Sequence, residues 1–187
     1  KFVFLRMKKI YVALVLCSSL FAAAQVKVAS IFADDMVLQR DAKIPIWGWA
    51  TANEKITVKF HQQTKTTKAD QNGKWSVRLN REQAGGPYNL SIIGKNQILL
   101  KNILVGEIWI CSGQSNMEWN VKQSDDAANE MAKANHPEIR HIKIPKNINT
   151  LPNVDIGKTA WEICSPETVG DFTAIGYFYA KELHEKL

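Results

Sequence analysis

From residue 26 to about residue 105 the chain alternates apolar and polar positions in short runs: Ile44-Pro45-Ile46-Trp47, then Ile56, Val58 and Phe60, then Trp75, Val77 and Leu79, then Tyr88, Leu90 and Ile92. Successive side chains of a strand point to opposite faces, so a period of two predicts half-buried β-strands. Turn-forming residues lie between the runs, at Asn72-Gly73, Gly85-Gly86-Pro87 and Gly94-Lys95-Asn96. This spacing predicts a small antiparallel β-sandwich, with Asn72-Gly73 suited to the positive backbone angles of a tight hairpin. No helical period competes with it.

The pattern changes after residue 104. Glu107-Ile108-Trp109-Ile110-Cys111 is short and nearly continuously apolar, as expected of a strand buried on both faces of an α/β sheet. Ser124-Asp125-Asp126 then reads as a capped, acid-biased helix start leading into residues 127–134, because a side-chain oxygen can satisfy a free N–H of the first turn. A strand is predicted over 139–144, and a polar stretch follows over 145–158. Over 171–187, Phe172, Ile175, Tyr179 and Leu183 share one face of a helix, which Gly176 interrupts, as close packing against a neighbour would require. The expected fold class is therefore mixed: an N-terminal antiparallel β-sandwich over 25–104, then the start of an α/β domain over 105–187. So few strands would leave both faces of a parallel sheet uncovered, so this second domain is expected to be incomplete.

Charge changes the picture only at the amino terminus. The net charge is +6, but Lys1, Arg6, Lys8 and Lys9 all precede the first apolar run. The 24 bases less these four leave 20 against 18 acids, a balance that makes no case for a nucleic-acid partner, which demands a clustered basic face. Met7-Lys8-Lys9, the apolar residues 10–21 and Ala22-Ala23-Ala24 together read as a secretory signal peptide over 1–24 cleaved near Ala24, with 1–6 as upstream read-through. The run is too short for a membrane anchor. Leu16 before Cys17 lacks the small side chain of a lipidation signal, so a secreted or periplasmic protein is expected. Cys111 and Cys164 remain after cleavage. They could pair in an oxidising compartment or sit as small buried hydrophobes.

The chemistry centres on Cys111-Ser112-Gly113-Gln114-Ser115-Asn116-Met117-Glu118-Trp119. A serine on a tight turn at the carboxyl end of a strand stands where open α/β sheets bind ligands, and a glycine two residues earlier leaves room for the bend. This favours Ser115 over Ser112 as a catalytic nucleophile. The elbow Gly-x-Ser-x-Gly is only partly met, because its fifth position is Met117. Gln114 and Asn116 flank the serine and either fix the turn or touch substrate, and Trp119 is near enough to line a pocket. Most of the tryptophans are expected in the core, with Trp75 and Trp109 in strand patterns. A serine needs a base, but His61, His136, His141 and His184 lie in scattered settings, and none is assigned that role. No set of Cys, His and acids has metal-ligand spacing, so no metal or other cofactor is expected.

The string GEIWICSGQSNMEW at 106–119 resembles the first signature block of the sialate O-acetylesterases, a branch of the SGNH (GDSL-like) hydrolases. VASIFADDMVLQRD near the amino terminus, WEICSPETV at 161–169 and FTAIGYFYAKEL at 172–183 are similar to the same family. The resemblance implies a flavodoxin-like α/β fold for the second domain and a carbohydrate O-acetylesterase activity. It makes Ser115 the nucleophile, its backbone N–H an oxyanion donor, and an O-acetylated sugar or glycan the substrate. The family's Asp-x-x-His pair does not occur here, so the chain is expected to be an amino-terminal fragment, truncated before its catalytic acid and base and inactive alone. An acetylxylan esterase of the same branch, or a non-catalytic carbohydrate-binding β-sandwich module, are the alternatives.

Overall fold

The computed structural model describes residues 25–186, so the leader expected over 1–24 lies outside the described residues. Eight strands come first: β1 (Lys27–Val28), β2 (Val37–Gln39), β3 (Ile44–Trp49), β4 (Lys55–Phe60), β5 (Gln63–Lys68), β6 (Lys74–Leu79), β7 (Gly85–Ile93) and β8 (Gln97–Gly106). They form a three-stranded sheet in the order β1-β3-β6 and a five-stranded sheet in the order β2-β8-β7-β4-β5. The alternation predicted from the sequence holds: Ile44 and Ile46, Ile56, Val58 and Phe60, Trp75, Val77 and Leu79, and Leu90 and Ile92 turn inward, and both sheets share the resulting core. Each large side chain removed from water in this way stabilises the fold by about 1.5–3 kcal/mol.

Four details differ from expectation. β5, Gln-Thr-Lys-Thr-Thr-Lys, pairs with β4 although it contributes no apolar residue. Its partner and a two-residue turn at His61, whose φ is 49°, define it. Asn72-Gly73 does not close a hairpin within one sheet, because β5 and β6 belong to different sheets. There Asp70 Oδ1 accepts the N–H groups of Asn72 and Lys74, each at 2.8 Å, while Gly73 takes φ 75°. Gly85-Gly86-Pro87 opens β7 instead of forming a turn, with Gly85 opposite Val105. Finally, β2 pairs with β8 in parallel.

The remaining elements are α1 (Ser115–Glu118), a 3-10 turn (Val121–Gln123), α2 (Ala127–Lys133), β9 (His136–Ile142), β10 (Trp161–Cys164), a second 3-10 turn (Val169–Asp171) and α3 (Ala174–His184). They enclose a second, smaller core of Val121, Ala134, Ile139, Cys164, Val169, Phe172, Ala174 and Tyr177. The cap of α2 is Asp126, in a left-handed conformation, and not Ser124. Glu130 ties α2 to α3, accepting from Tyr177 Oη at 2.5 Å and Lys181 Nζ at 2.6 Å.

Two expectations for this part are corrected. Residues 107–111 form no strand, and Trp109 and Ile110 are 55% and 90% exposed. An apolar run becomes a buried strand only when neighbouring strands satisfy its backbone and cover its faces, and no described strand does so. β9 and β10 form an antiparallel pair, with Trp161 opposite Ile142, and not the opening of a parallel sheet. The architecture is mixed α/β with strand-rich sheets.

The two cores are held together along the loop after β1. Ser30 donates through its N–H and hydroxyl to the two oxygens of Asp155, at 2.8 and 2.9 Å. Trp161 Nε1 donates to Ile31 O at 2.8 Å. From β9, Arg140, whose side chain is 4% exposed, reaches Asp35 O and Oδ1 at 3.4 Å, and burial lowers its pKa against the pull of that carboxylate.

Candidate functional site

The segment carrying Ser115 leaves β8 at Gly106 and runs between the two cores. It is pinned at its far end: Asn120 bridges Thr173, Val121 N–H donates to Phe172 O at 3.1 Å, and Ala174 N–H donates to Trp119 O at 2.8 Å. Two glycines make close packing possible nearby. A Cβ on Gly176 would lie 2.9 Å from Cys111 Sγ, so α3 can approach the segment only without a side chain there. A Cβ on Gly113 would lie 2.9 Å from Met117 Cγ. Gly113 is therefore needed for space, since its φ is not in the left-handed region.

Ser115 is the first residue of α1 and is exposed. Neither its hydroxyl nor its backbone N–H is bonded to any other described residue. The first N–H groups of a helix have no partner within it, so one donor stands beside the hydroxyl. Gln114 and Asn116 are exposed, and their amides form no hydrogen bond among the described residues. The turn does not depend on them. Trp119 is 53% exposed, and its indole N–H is taken by Gln123 O at 3.0 Å. Glu118 pairs with Lys146, whose hydrogen bond holds that carboxyl below its ordinary pKa.

No histidine meets Ser115 among the described residues. His61 stacks on Tyr88 at 4.6 Å and reaches Glu82 at 3.2 Å. His136 opens β9, tilted against Tyr177 at 6.5 Å. His184 faces Glu138 at 3.5 Å. His141 stacks on Phe172 at 4.4 Å. Burial, helped by Lys143, pushes its pKa down to about 4, and its Nδ1 is sealed without a partner. Cys111 and Cys164 are free thiols, and burial pushes the Cys164 thiol up. Among the described residues no group of three or more His, Cys, Asp or Glu is placed to hold a metal ion, and no helix is long and apolar enough to cross a membrane.

A groove of about 1760 Å³ runs between the two cores. Its walls include Ile108, Trp109, Ile110, Ser112, Gly113 and His141, while Ser115, Gln114, Asn116 and Trp119 stand outside it. The sequence marks neither His141 as a groove residue nor Lys146 as the partner of Glu118. Neither carries a local signal, because both are brought in by tertiary packing.

Comparison with known proteins gives a consistent picture. The chain is 27% identical to the sialate O-acetylesterase of Homo sapiens over 93% of this chain and 37% of that protein. It is 26% identical to that of Mus musculus over 85% and 33%. Among solved structures, a carbohydrate acetylesterase from Xanthomonas citri is 40% identical with a TM-score of 0.85, covering 86% of this chain and 38% of that one. No family model matches. The chain thus spans about a third of the length of these relatives, and the resemblance to sialate O-acetylesterases read from residues 106–119 is borne out over most of the chain.

Proposed function

Taking that homology as the starting point, we propose that this chain carries the nucleophile of a carbohydrate O-acetylesterase of the sialate O-acetylesterase type, and that Ser115 is the nucleophile. The observation that carries the reading is a serine hydroxyl, exposed and free of any described partner, beside its own unpaired N–H. It lies within the string that resembles the family's signature, in a chain whose relatives are named acetylesterases.

In the proposed reaction Ser115 Oγ attacks the acetyl carbonyl and gives its proton to a base. The carbonyl oxygen becomes an oxyanion that the Ser115 N–H receives, and loss of one such donor typically costs about 10²–10³ in rate. The protonated base returns its proton to the departing sugar oxygen, leaving an acetyl-serine. Water, deprotonated by the same base, then releases acetate and restores the hydroxyl. The base lies outside residues 25–186, since every described histidine is engaged elsewhere.

The same reading accounts for the wide groove and the exposed run 107–111. Pockets for small ligands occupy about 300–1,000 Å³, so a sugar alone would not fill 1760 Å³. Further strands and helices of an SGNH-type domain, begun by 105–187 and preceded by a β-sandwich over 25–104, would cover the apolar run and bring the base to Ser115. Gln114, Asn116 and Trp119, exposed around the serine, are assigned to substrate contact. Residues 1–24 are assigned to export, which amino-terminal sequencing of secreted protein beginning at Gln25 would support.

The test is to assay residues 25–187 and the whole-length protein side by side on an aryl acetate. Strong hydrolysis by the longer protein alone is expected, and equal rates would contradict a base outside this segment. Acetylated sialic acid against acetylated xylan then separates the two substrate classes.

A further inference from the structure

The outward face of the three-stranded sheet is unusual for what it leaves uncovered. On β3, Ile44, Ile46 and Gly48 are buried, while Trp47 and Trp49, two residues apart, share the opposite face and are half-buried. Register places Trp49 between Lys27 of β1 and Lys74 of β6, and Trp47 beside Ser76. With Thr67, Lys68 and Asp70 from the neighbouring edge and Val154 from the stretch after β9, these tryptophans line a cleft of about 580 Å³. Trp47 is the only lining residue it shares with the larger groove.

The indole N–H groups separate these two tryptophans from others in the chain. Trp75, Trp119 and Trp161 each donate to a backbone carbonyl, at 3.2, 3.0 and 2.8 Å. Trp47 and Trp49 donate to no described residue, and neither nitrogen is sealed, since the sealed and unpartnered side-chain atom among the described residues is His141 Nδ1. Packing explains Trp47, whose ring meets Phe32 edge-on at 4.6 Å. No described ring stacks on Trp49. Buried indoles ordinarily find a partner for the N–H and a neighbour for the ring; Trp49 packs in part against the larger core, and the side it leaves uncovered lines the cleft with the indole N–H free.

We propose that this cleft is a second sugar-binding site, separate from Ser115, that takes a carboxylate-bearing pyranose with its ring stacked on Trp49. A pyranose has an apolar C–H face for the indole and a rim of hydroxyls for Ser76, Thr67 and the indole N–H. The volume falls within the range of about 300–1,000 Å³ usual for small-ligand sites. Charge selects an acidic sugar: Lys68 and Lys74 line the cleft and Lys27 stands opposite Trp49 in register, three ammonium groups against the one carboxylate of Asp70, whose Oδ1 accepts two backbone N–H groups of its own turn. The site stands whether or not Ser115 is the nucleophile.

Calorimetric titration of the whole-length Ser115→Ala protein with 3′-sialyllactose tests it, the substitution removing turnover. Saturable binding is expected, weakened at least ~10-fold by Trp49→Ala, largely kept by Trp49→Tyr, and weaker for lactose. Aryl acetate hydrolysis by Trp49→Ala on the parent background is expected to be unchanged, which separates this site from the catalytic one. Binding that is absent, or equally tight in Trp49→Ala, would overturn the site. Equal binding of lactose would overturn its assignment to an acidic sugar.

Discussion

Replacing His141 with phenylalanine removes a titratable ring that the fold holds uncharged. The imidazole stacks on Phe172 at 4.4 Å in the smaller core, and its Nδ1 is sealed from solvent with no partner. A proton there would have neither water nor a carboxylate to receive it, and Lys143 adds repulsion, so the pKa falls from 6.5 to about 4. Above pH 6.5 the ring is neutral in both folded and unfolded chains and contributes nothing to the pH dependence. As the pH falls from 6.5 towards 4, the unfolded chain binds a proton that the folded chain refuses, and stability drops. Linkage puts the loss at about 2 kcal/mol by pH 5 and about 3 kcal/mol by pH 4. Phenylalanine keeps a flat ring against Phe172 and cannot titrate. Urea unfolding of parent and His141→Phe at pH 7.5, 6, 5 and 4 should give a gap between them that opens by these amounts as the pH falls. A gap that stays constant across the series would refute the claim that His141 is held neutral.

Phe60→Ala, at 1% exposure and edge-on to Tyr88 at 5.6 Å, should cost about 3–5 kcal/mol in urea unfolding, because the larger core cannot collapse around the void. Tyr177→Phe removes the hydroxyl that donates to the Glu130 carboxylate, and should cost about 1.5–3 kcal/mol at pH 7. Its cost should shrink as pH falls through the depressed pKa of Glu130, which the hydrogen bonds of Lys181 and Tyr177 hold down. Gly113→Ala forces Met117 Cγ from a 2.9 Å contact and should lower esterase kcat of the whole-length protein by roughly 10–100-fold at nearly unchanged Tm. Adding Met117→Ala should restore the rate.

Much of the larger core was legible because Ile46, Val58, Val77 and Ile92 sit in an alternation that only a two-fold repeat produces. β5 was not, because Gln-Thr-Lys-Thr-Thr-Lys is an edge strand recruited by β4 and needs no apolar face of its own. The hairpin at His61 was hidden for a related reason: the neighbouring strands impose its left-handed conformation, and no glycine announces it. Residues 107–111 misled in the opposite direction. Their apolarity is that of a buried strand, but burial is a property of neighbours, and no described strand flanks them, so Trp109, met edge-on by Tyr179 at 5.1 Å, stays 55% exposed. At the candidate site, the string around Ser115 singles it out in the sequence, and the structure places it exposed at the start of α1. Nothing local marked His141 or Lys146, which reach the region only through β9 and the stretch after it.

In the proposed reaction Ser115 makes and breaks the bond to the acetyl group. Peptide mass mapping of the whole-length protein, quenched during reaction with an organophosphorus ester that traps attacking serines, addresses it directly. A single adduct is expected on the peptide containing Ser115, absent from Ser115→Ala. An adduct on another residue, or continued ester hydrolysis by Ser115→Ala at the parent rate, would contradict it.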